Sequence, residues 1–335
     1  MTSRRLGRWT VHFPGSPRIV SAASVVGPKE GEGPLRSYFD VIESDPMRGE
    51  ACPEAAERRF MEEACNRAIR LLNLKNDDID IFLGGDLLNQ VITAGFTARS
   101  LQIPFLGLYS ACATVGAALM LAGTLVDCDW VTTALVAASS HYQTAERQFR
   151  YPIELNIQRK PTNQWTVTGA GAAVIAKQGE GPKLTHATIG RVVDYGLKDT
   201  NDMGCTMAPA AADTLLRHLA DTGRTPGDYD LILTGDLAAY GAKMFRHLVK
   251  EASIGLGNKH QDAGQLIFSS QQKVGAGGSG CACVAVVGLG YVLKEMAAGR
   301  WHRVLLLPTG ALFSPVTHMQ GESIPCVAHA IVIES

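Results

Sequence analysis

Short apolar runs alternate with longer stretches of helical periodicity along the chain. Arg18 to Val26 reads as a strand. After a Gly- and Pro-rich loop, Pro53 to Leu72 carries the spacing of a helix, with Glu54, Glu57, Glu62 and Glu63 early and Arg67 and Arg70 late. That charge order complements the helix dipole. Ile79 to Leu83 is an apolar strand ending in Gly84-Gly85-Asp86, and a second helix and a short strand at Phe105 to Tyr109 follow. Strands alternating with helices, with no Pro-, Ser- or charge-rich linker between two bodies, predict an α/β protein.

The pattern repeats over a long period. Ile79-Asp-Ile-Phe-Leu-Gly-Gly-Asp-Leu87 returns as Tyr229-Asp-Leu-Ile-Leu-Thr-Gly-Asp-Leu237, with Asp86 and Asp236 150 residues apart. Gly171 to Ala176 is echoed by His329 to Glu334, and Ala134 to Ala138 by Val304 to Pro308. Each strand of that last pair follows a small-residue apolar helix, Ala113 to Val126 or Ala282 to Met296. A repeat unit this long is a whole βα layer rather than one solenoid turn. Helices with nearly uncharged interiors belong between two sheets rather than on a surface. The expected architecture is five-layered, α-β-α-β-α, built from two duplicated halves at 1–180 and 181–335 with that helix pair in the middle.

Composition narrows the partners. Lys+Arg 31 against Asp+Glu 32 gives a net charge of -1 over 335 residues, so no global field draws in nucleic acid or anionic lipid. Charged residues make up 19% and Gly contributes 35, which suits a globular chain whose elements approach closely. The eight cysteines sit mostly in apolar segments without framework spacing, as buried small hydrophobes or free thiols would. Met1-Thr2-Ser3-Arg4-Arg5 opens no signal peptide, and the longest apolar stretches fall short of the roughly 18 to 20 residues of a membrane span. A protein that is neither secreted nor membrane-spanning is expected.

A cysteine at the start of the first central helix, in Tyr109-Ser-Ala-Cys-Ala-Thr-Val-Gly116, and a Gly-rich turn before the second, Val274-Gly-Ala-Gly-Gly-Ser-Gly-Cys281, resemble the thiolase superfamily of thiolases and ketosynthases. Gly85 to Gln90, Ser139 to Pro152, Asp202 to Asp213 and Gly277 to Cys283 are most similar, within it, to the stage V sporulation protein AD family. The resemblance implies a thiolase-fold protein that binds dipicolinic acid, or its calcium complex, and takes part in its uptake into the developing spore. It also implies a homodimer, soluble on the cytoplasmic side and associated peripherally with the spore inner membrane, working with other proteins of its sporulation operon. No resident cofactor is expected, only calcium arriving with the dipicolinate.

Cys112 is the candidate centre. A helix N-terminus favours a thiolate and readies it for acyl transfer, and the same N–H groups seat a carboxylate without chemistry. Condensing enzymes of the superfamily add His and Asn partners, but the matching strand end reads Gly235-Asp-Leu-Ala-Ala239 and the turn offers Gly and Ser279. These gaps favour a non-catalytic binding protein. An acyltransferase or condensing enzyme using Cys112 as acyl acceptor is the alternative, and a scaffolding dimer with a degenerate pocket is a third reading. Dipicolinate is a planar pyridine with two carboxylates, so Arg147 and Arg150, three apart in Glu146-Arg-Gln-Phe-Arg-Tyr151, are expected to share a helical face and reach it. His141 and His260 are placed near the pocket as either ligand contacts or hydrogen-bonded structural residues. Asp86, with Asn89, is read as a calcium or ligand contact, against the plainer reading that Asp86 and Asp236 both cap helices.

Overall fold

The computed structural model describes residues 4–150, 155 and 157–335, so Met1 to Ser3 and, in the arginine segment, Tyr151 and Pro152 lie outside the described residues. Ten strands form two sheets of the same topology. The first runs Phe105–Gly107, Ile81–Gly85, Thr133–Ser140, Gly169–Ala176, Arg18–Val26; the second runs His260–Asp262, Leu231–Thr234, Arg303–Leu307, Ala330–Glu334, Lys183–Thr188. In each, the first three strands are parallel and the fourth is antiparallel to its neighbours. All three sequence echoes fall on strands that occupy equivalent places. The sheets touch end to end where Lys183 pairs with Arg18.

Both faces of each sheet are buried, which is why the strands read as apolar runs rather than as alternations. The period of two survives in which core each side chain enters. Val136 points into the central core and Leu135 and Ala137 into an outer one; Leu231 and Leu233 point inward and Ile232 outward. Helices Pro53–Arg70 and Ile92–Leu101 cover the outer face of the first sheet through Phe60, Met61 and Ile69. Helices Met203–Thr222 and Ala238–Glu251 cover that of the second through Leu215 and Phe245.

Between the sheets lie helix Thr114–Asp127 and a run that begins as Cys281–Val286, passes through a π-helical turn at Val287–Val292 and ends as Leu293–Ala297. Their small residues touch both sheets. A Cβ on Gly116 would meet Pro308 and His329 of the second half, and one on Gly171 would stand 2.8 Å from the Ala285 backbone. Five layers built from two duplicated halves result. No helix among the described residues is long and apolar enough to cross a membrane.

Candidate functional site

Cys112 sits in a tight turn between strand Phe105–Gly107 and helix Thr114–Asp127. Ala111 takes a left-handed conformation (φ 48°), unusual for a residue with a Cβ. The Thr114 hydroxyl holds the turn, donating to the Ala111 carbonyl at 2.6 Å and accepting from the Ser110 N–H at 3.2 Å. Gly310 backs it so closely that a Cβ there would stand 2.3 Å from the Ser110 carbonyl and 2.9 Å from the Cys112 nitrogen. The Gly-rich turn supplies the facing wall. Strand Gly277–Ser279 pairs with Gln164–Thr166, and Gly280 then turns at φ 107°, where Ser140 would lie 2.7 Å from any added Cβ.

Around Cys112 opens a cleft of about 600 Å³ of atom-free space, its mouth included. Leu87, Phe149, Met203, Met207 and Phe313 give it apolar walls, and Arg150, Glu146, Gln164 and Ser279 bring polar groups. The Arg150 guanidinium donates to Glu146 Oε1 at 2.6 Å and to the Gln164 carbonyl at 3.0 Å. Glu146 also pairs with Arg159 at 2.5 Å, so two guanidinium groups share one carboxylate and leave the rim with one net positive charge. Burial, reinforced by the Asp236 carboxyl, pushes the Cys112 thiol well above its ordinary range. This reverses the expected lowering by the helix N-terminus: the helix begins only at Thr114, and desolvation outweighs the N–H groups of Gly280 and Cys112 itself.

Of the residues singled out in the sequence, the fold brings Cys112, Arg150 and Ser279 into this cleft. Arg147 does not join them. Helix Tyr142–Phe149 ends before Arg150, whose backbone leaves the helical region, so the two arginines do not share a face. Arg147 instead pairs with Glu54 in a neighbouring cleft that also holds Asn89. His141 caps that helix, accepting from the Gln143 N–H at 3.2 Å, while its other nitrogen meets the Pro46 carbonyl at 2.9 Å. It faces a third cleft with Glu30 and Trp165. His260 does not reach the Cys112 cleft: it lies in strand His260–Asp262, with Nε2 2.8 Å from the Thr234 hydroxyl and Nδ1 accepting from Arg246 at 3.0 Å. Burial drives its pKa down to about 3, so it is a neutral structural imidazole.

Asp86 is fully buried and accepts from the Leu88 and Ala94 N–H groups, both at 2.8 Å, as a capping carboxylate does. Among the described residues no group of His, Cys, Asp and Glu side chains is arranged to hold a metal ion. Sequence reasoning passed over Gln164, Phe313 and the pair Met203 and Met207. The last two had a signal, being four apart on one face of a helix within a stretch that carries the family resemblance.

The family described as stage V sporulation protein AD matches residues 7–334. The chain belongs to this family. Stage V sporulation protein AD of Bacillus subtilis (strain 168) is 48% identical over 316 residues, covering 94% of each chain. Solved structures share the fold at much lower identity. A single-residue variant of OleA from Xanthomonas campestris superposes with a TM-score of 0.64 at 15% identity, covering 97% of this chain and 99% of its own. The 3-oxoacyl-[acyl-carrier-protein] synthase III of Aquifex aeolicus VF5 does so with 0.59 at 13%, covering 95% and 100%. The fold of this stage V sporulation protein AD member is therefore thiolase-like, of the kind seen in those condensing enzymes.

Proposed function

We propose that this protein is a non-catalytic binding protein for dipicolinic acid, free or as its calcium complex, and serves its uptake into the developing spore. One observation carries the reading. Where a condensing enzyme of this fold pairs its cysteine with His and Asn, Cys112 has Asp236 and Ser279 beside the Gly280 turn, and no His is among the described residues lining the cleft. A thiol pushed above its ordinary range with no imidazole against it is a poor acyl acceptor. The same cleft suits a small planar acid. Phe149, Phe313 and the two methionines offer an apolar slot, Arg150 a cationic edge and Ser279 a hydroxyl.

The protein works as a homodimer, peripherally held at the spore inner membrane with other proteins of its operon. Dimerisation is supported by the exposed Leu106 on edge strand Phe105–Gly107, with Ile92, Phe96 and Tyr109 exposed near it in sequence. An edge strand with apolar neighbours is where a second chain adds. Calorimetry with dipicolinate, with and without calcium, tests the binding reading, and saturable heat is expected. Incubation with acyl-CoA followed by intact-mass measurement tests the alternative. A stoichiometric adduct on Cys112, with no dipicolinate heat, overturns the proposal.

A further inference from the structure

Arg159 is not one of the described residues that line the Cys112 cleft, but it holds one that does. Arg150 and Glu146, both in the lining, pair at 2.6 Å and on their own cancel in charge. Arg159 brings the surplus cation: its Nη2 lies 2.5 Å from Glu146 Oε2 and donates to the Tyr142 hydroxyl at 2.6 Å. An aromatic platform keeps it there. The Tyr142 and Trp165 rings stack with centroids 3.8 Å apart and 8° between their planes, and the Arg159 guanidinium packs 5.0 Å from one centroid and 5.1 Å from the other. Tyr142 and Trp165 line the third cleft, whereas the chain neighbours of Trp165, Gln164 and Thr166, line the Cys112 cleft, so the platform stands in the wall between the two. A guanidinium tied to a carboxylate, a hydroxyl and two aromatic rings has little freedom to swing away. The Glu146 side chain is only 8% exposed, so its charge is met by these protein groups rather than by solvent.

We infer that Arg159 is a positioning residue of the Cys112 cleft: held by the Tyr142 and Trp165 stack, it neutralises Glu146 and so leaves the Arg150 charge to a dianionic ligand. The inference rests on the cleft being an anion site, as proposed above. Charge arithmetic makes it specific. With Arg159 in place the three side chains sum to one positive charge, without Arg159 to none, and without Glu146 to two. A dicarboxylate carries twice the charge of a monocarboxylate, so a step in the charge of the wall changes its affinity by the square of the change for the monoacid. Preference for a diacid over a monoacid of the same ring then comes in part from a side chain outside the lining.

Calorimetry at low ionic strength with dipicolinate, and with pyridine-2-carboxylate as the monoacid, tests this. Arg159→Gln is expected to weaken dipicolinate about tenfold and the monoacid about threefold. Adding Glu146→Gln to Arg159→Gln restores one positive charge, and both affinities are expected to return to within about twofold of wild type. A merely structural Arg159 predicts a double variant no better than the single one; that result, or equal losses for the two acids, overturns the inference. If the Glu146→Gln protein does not fold, Arg159→Glu replaces it, with a further loss of about tenfold beyond Arg159→Gln expected and equal losses for the two variants overturning. Failure of the wild-type protein to bind dipicolinate sinks the functional proposal instead. The charge of the wall is then read without a ligand, from the rate of Cys112 alkylation by iodoacetate relative to iodoacetamide, followed by peptide mass. That ratio is expected to fall about threefold in Arg159→Gln and to recover in the double variant, with no change at the exposed Cys52 and Cys128. An unmoved ratio at Cys112 overturns the inference there too.

Discussion

Arg150→Gln is the substitution that asks most directly whether the cleft holds an anion. The side chain is 15% exposed, so its charge acts in a medium well short of bulk water. Arg150 and Arg159 share Glu146, and removing one guanidinium takes the rim from one net positive charge to none. A charge-assisted hydrogen bond to a ligand carboxylate contributes about 1.5–3 kcal/mol. Dipicolinate affinity is therefore expected to fall about 10- to 150-fold, taking roughly 1.4 kcal/mol for each factor of ten. Stability should change less. Glu146 keeps Arg159, and a glutamine amide can still donate toward the Gln164 carbonyl, so a loss of about 1 kcal/mol is expected in urea unfolding. Arg147→Gln is the control, since Arg147 pairs with Glu54 in another cleft and its loss should leave affinity unchanged. Equal affinities for wild type and Arg150→Gln, or equal losses for both variants, would refute the reasoning.

Three further outcomes follow from the packing. His218 is fully buried between the Thr188 hydroxyl and the Tyr229 hydroxyl, both at 2.6 Å, and burial lowers its pKa from 6.5 to about 3. Its folded pKa lies below the unfolded one, so stability present above pH 6.5 is lost as pH falls, by about 3 kcal/mol at pH 4.5; His218→Gln should flatten that limb in pH-dependent urea melts. Glu57, buried among Ser139 and Thr144, has its pKa raised by burial and by Asp86. The folded state then holds the extra proton and wild type loses stability as pH climbs from 4.5 toward the folded value, so Glu57→Gln should gain on wild type from pH 5 to pH 8 in thermal melts. Gly280→Ala puts a Cβ 2.7 Å from Ser140 Oγ at φ 107°, and a loss of roughly 2–4 kcal/mol is expected in the same unfolding assay.

What the sequence disclosed was whatever is local or repeated. Arg18–Val26 and the start of the helix at Pro53 have the bounds read from pattern alone, because a β-branched run and an N-terminal proline mark them without tertiary help. The duplicated strands were legible because burial on both faces made each an apolar run and the Gly-Asp ends marked the register. The site was legible only at Cys112, Arg150 and Ser279, which motifs or composition single out. Arg147 and Arg150 part because the helix stops at Phe149, and no capping signal in the sequence marks that end. His260 looked available because it sits in a polar stretch, while its partners Thr234 and Arg246 come from elements 26 and 14 residues away.

The two halves are most informative where they disagree. Equivalent strand ends of the two copies carry the same Gly-Asp pair, so a role held by one aspartate and not by the other is set by its surroundings rather than by its place in the repeat. Asp86 caps the chain that follows it, whereas at the equivalent strand end of the second half Asp262, and not the Asp236 expected to cap, accepts from the Leu237 and Ala238 N–H groups. The asymmetry lies beside the Cys112 turn, whose thiol the Asp236 carboxyl helps to push up. A buried carboxyl beside a sulfur disfavours the thiolate rather than assisting it. The raised thiol and the cationic Arg150 edge together suit the proposed role of the cleft, which is to hold a small acid without acyl transfer.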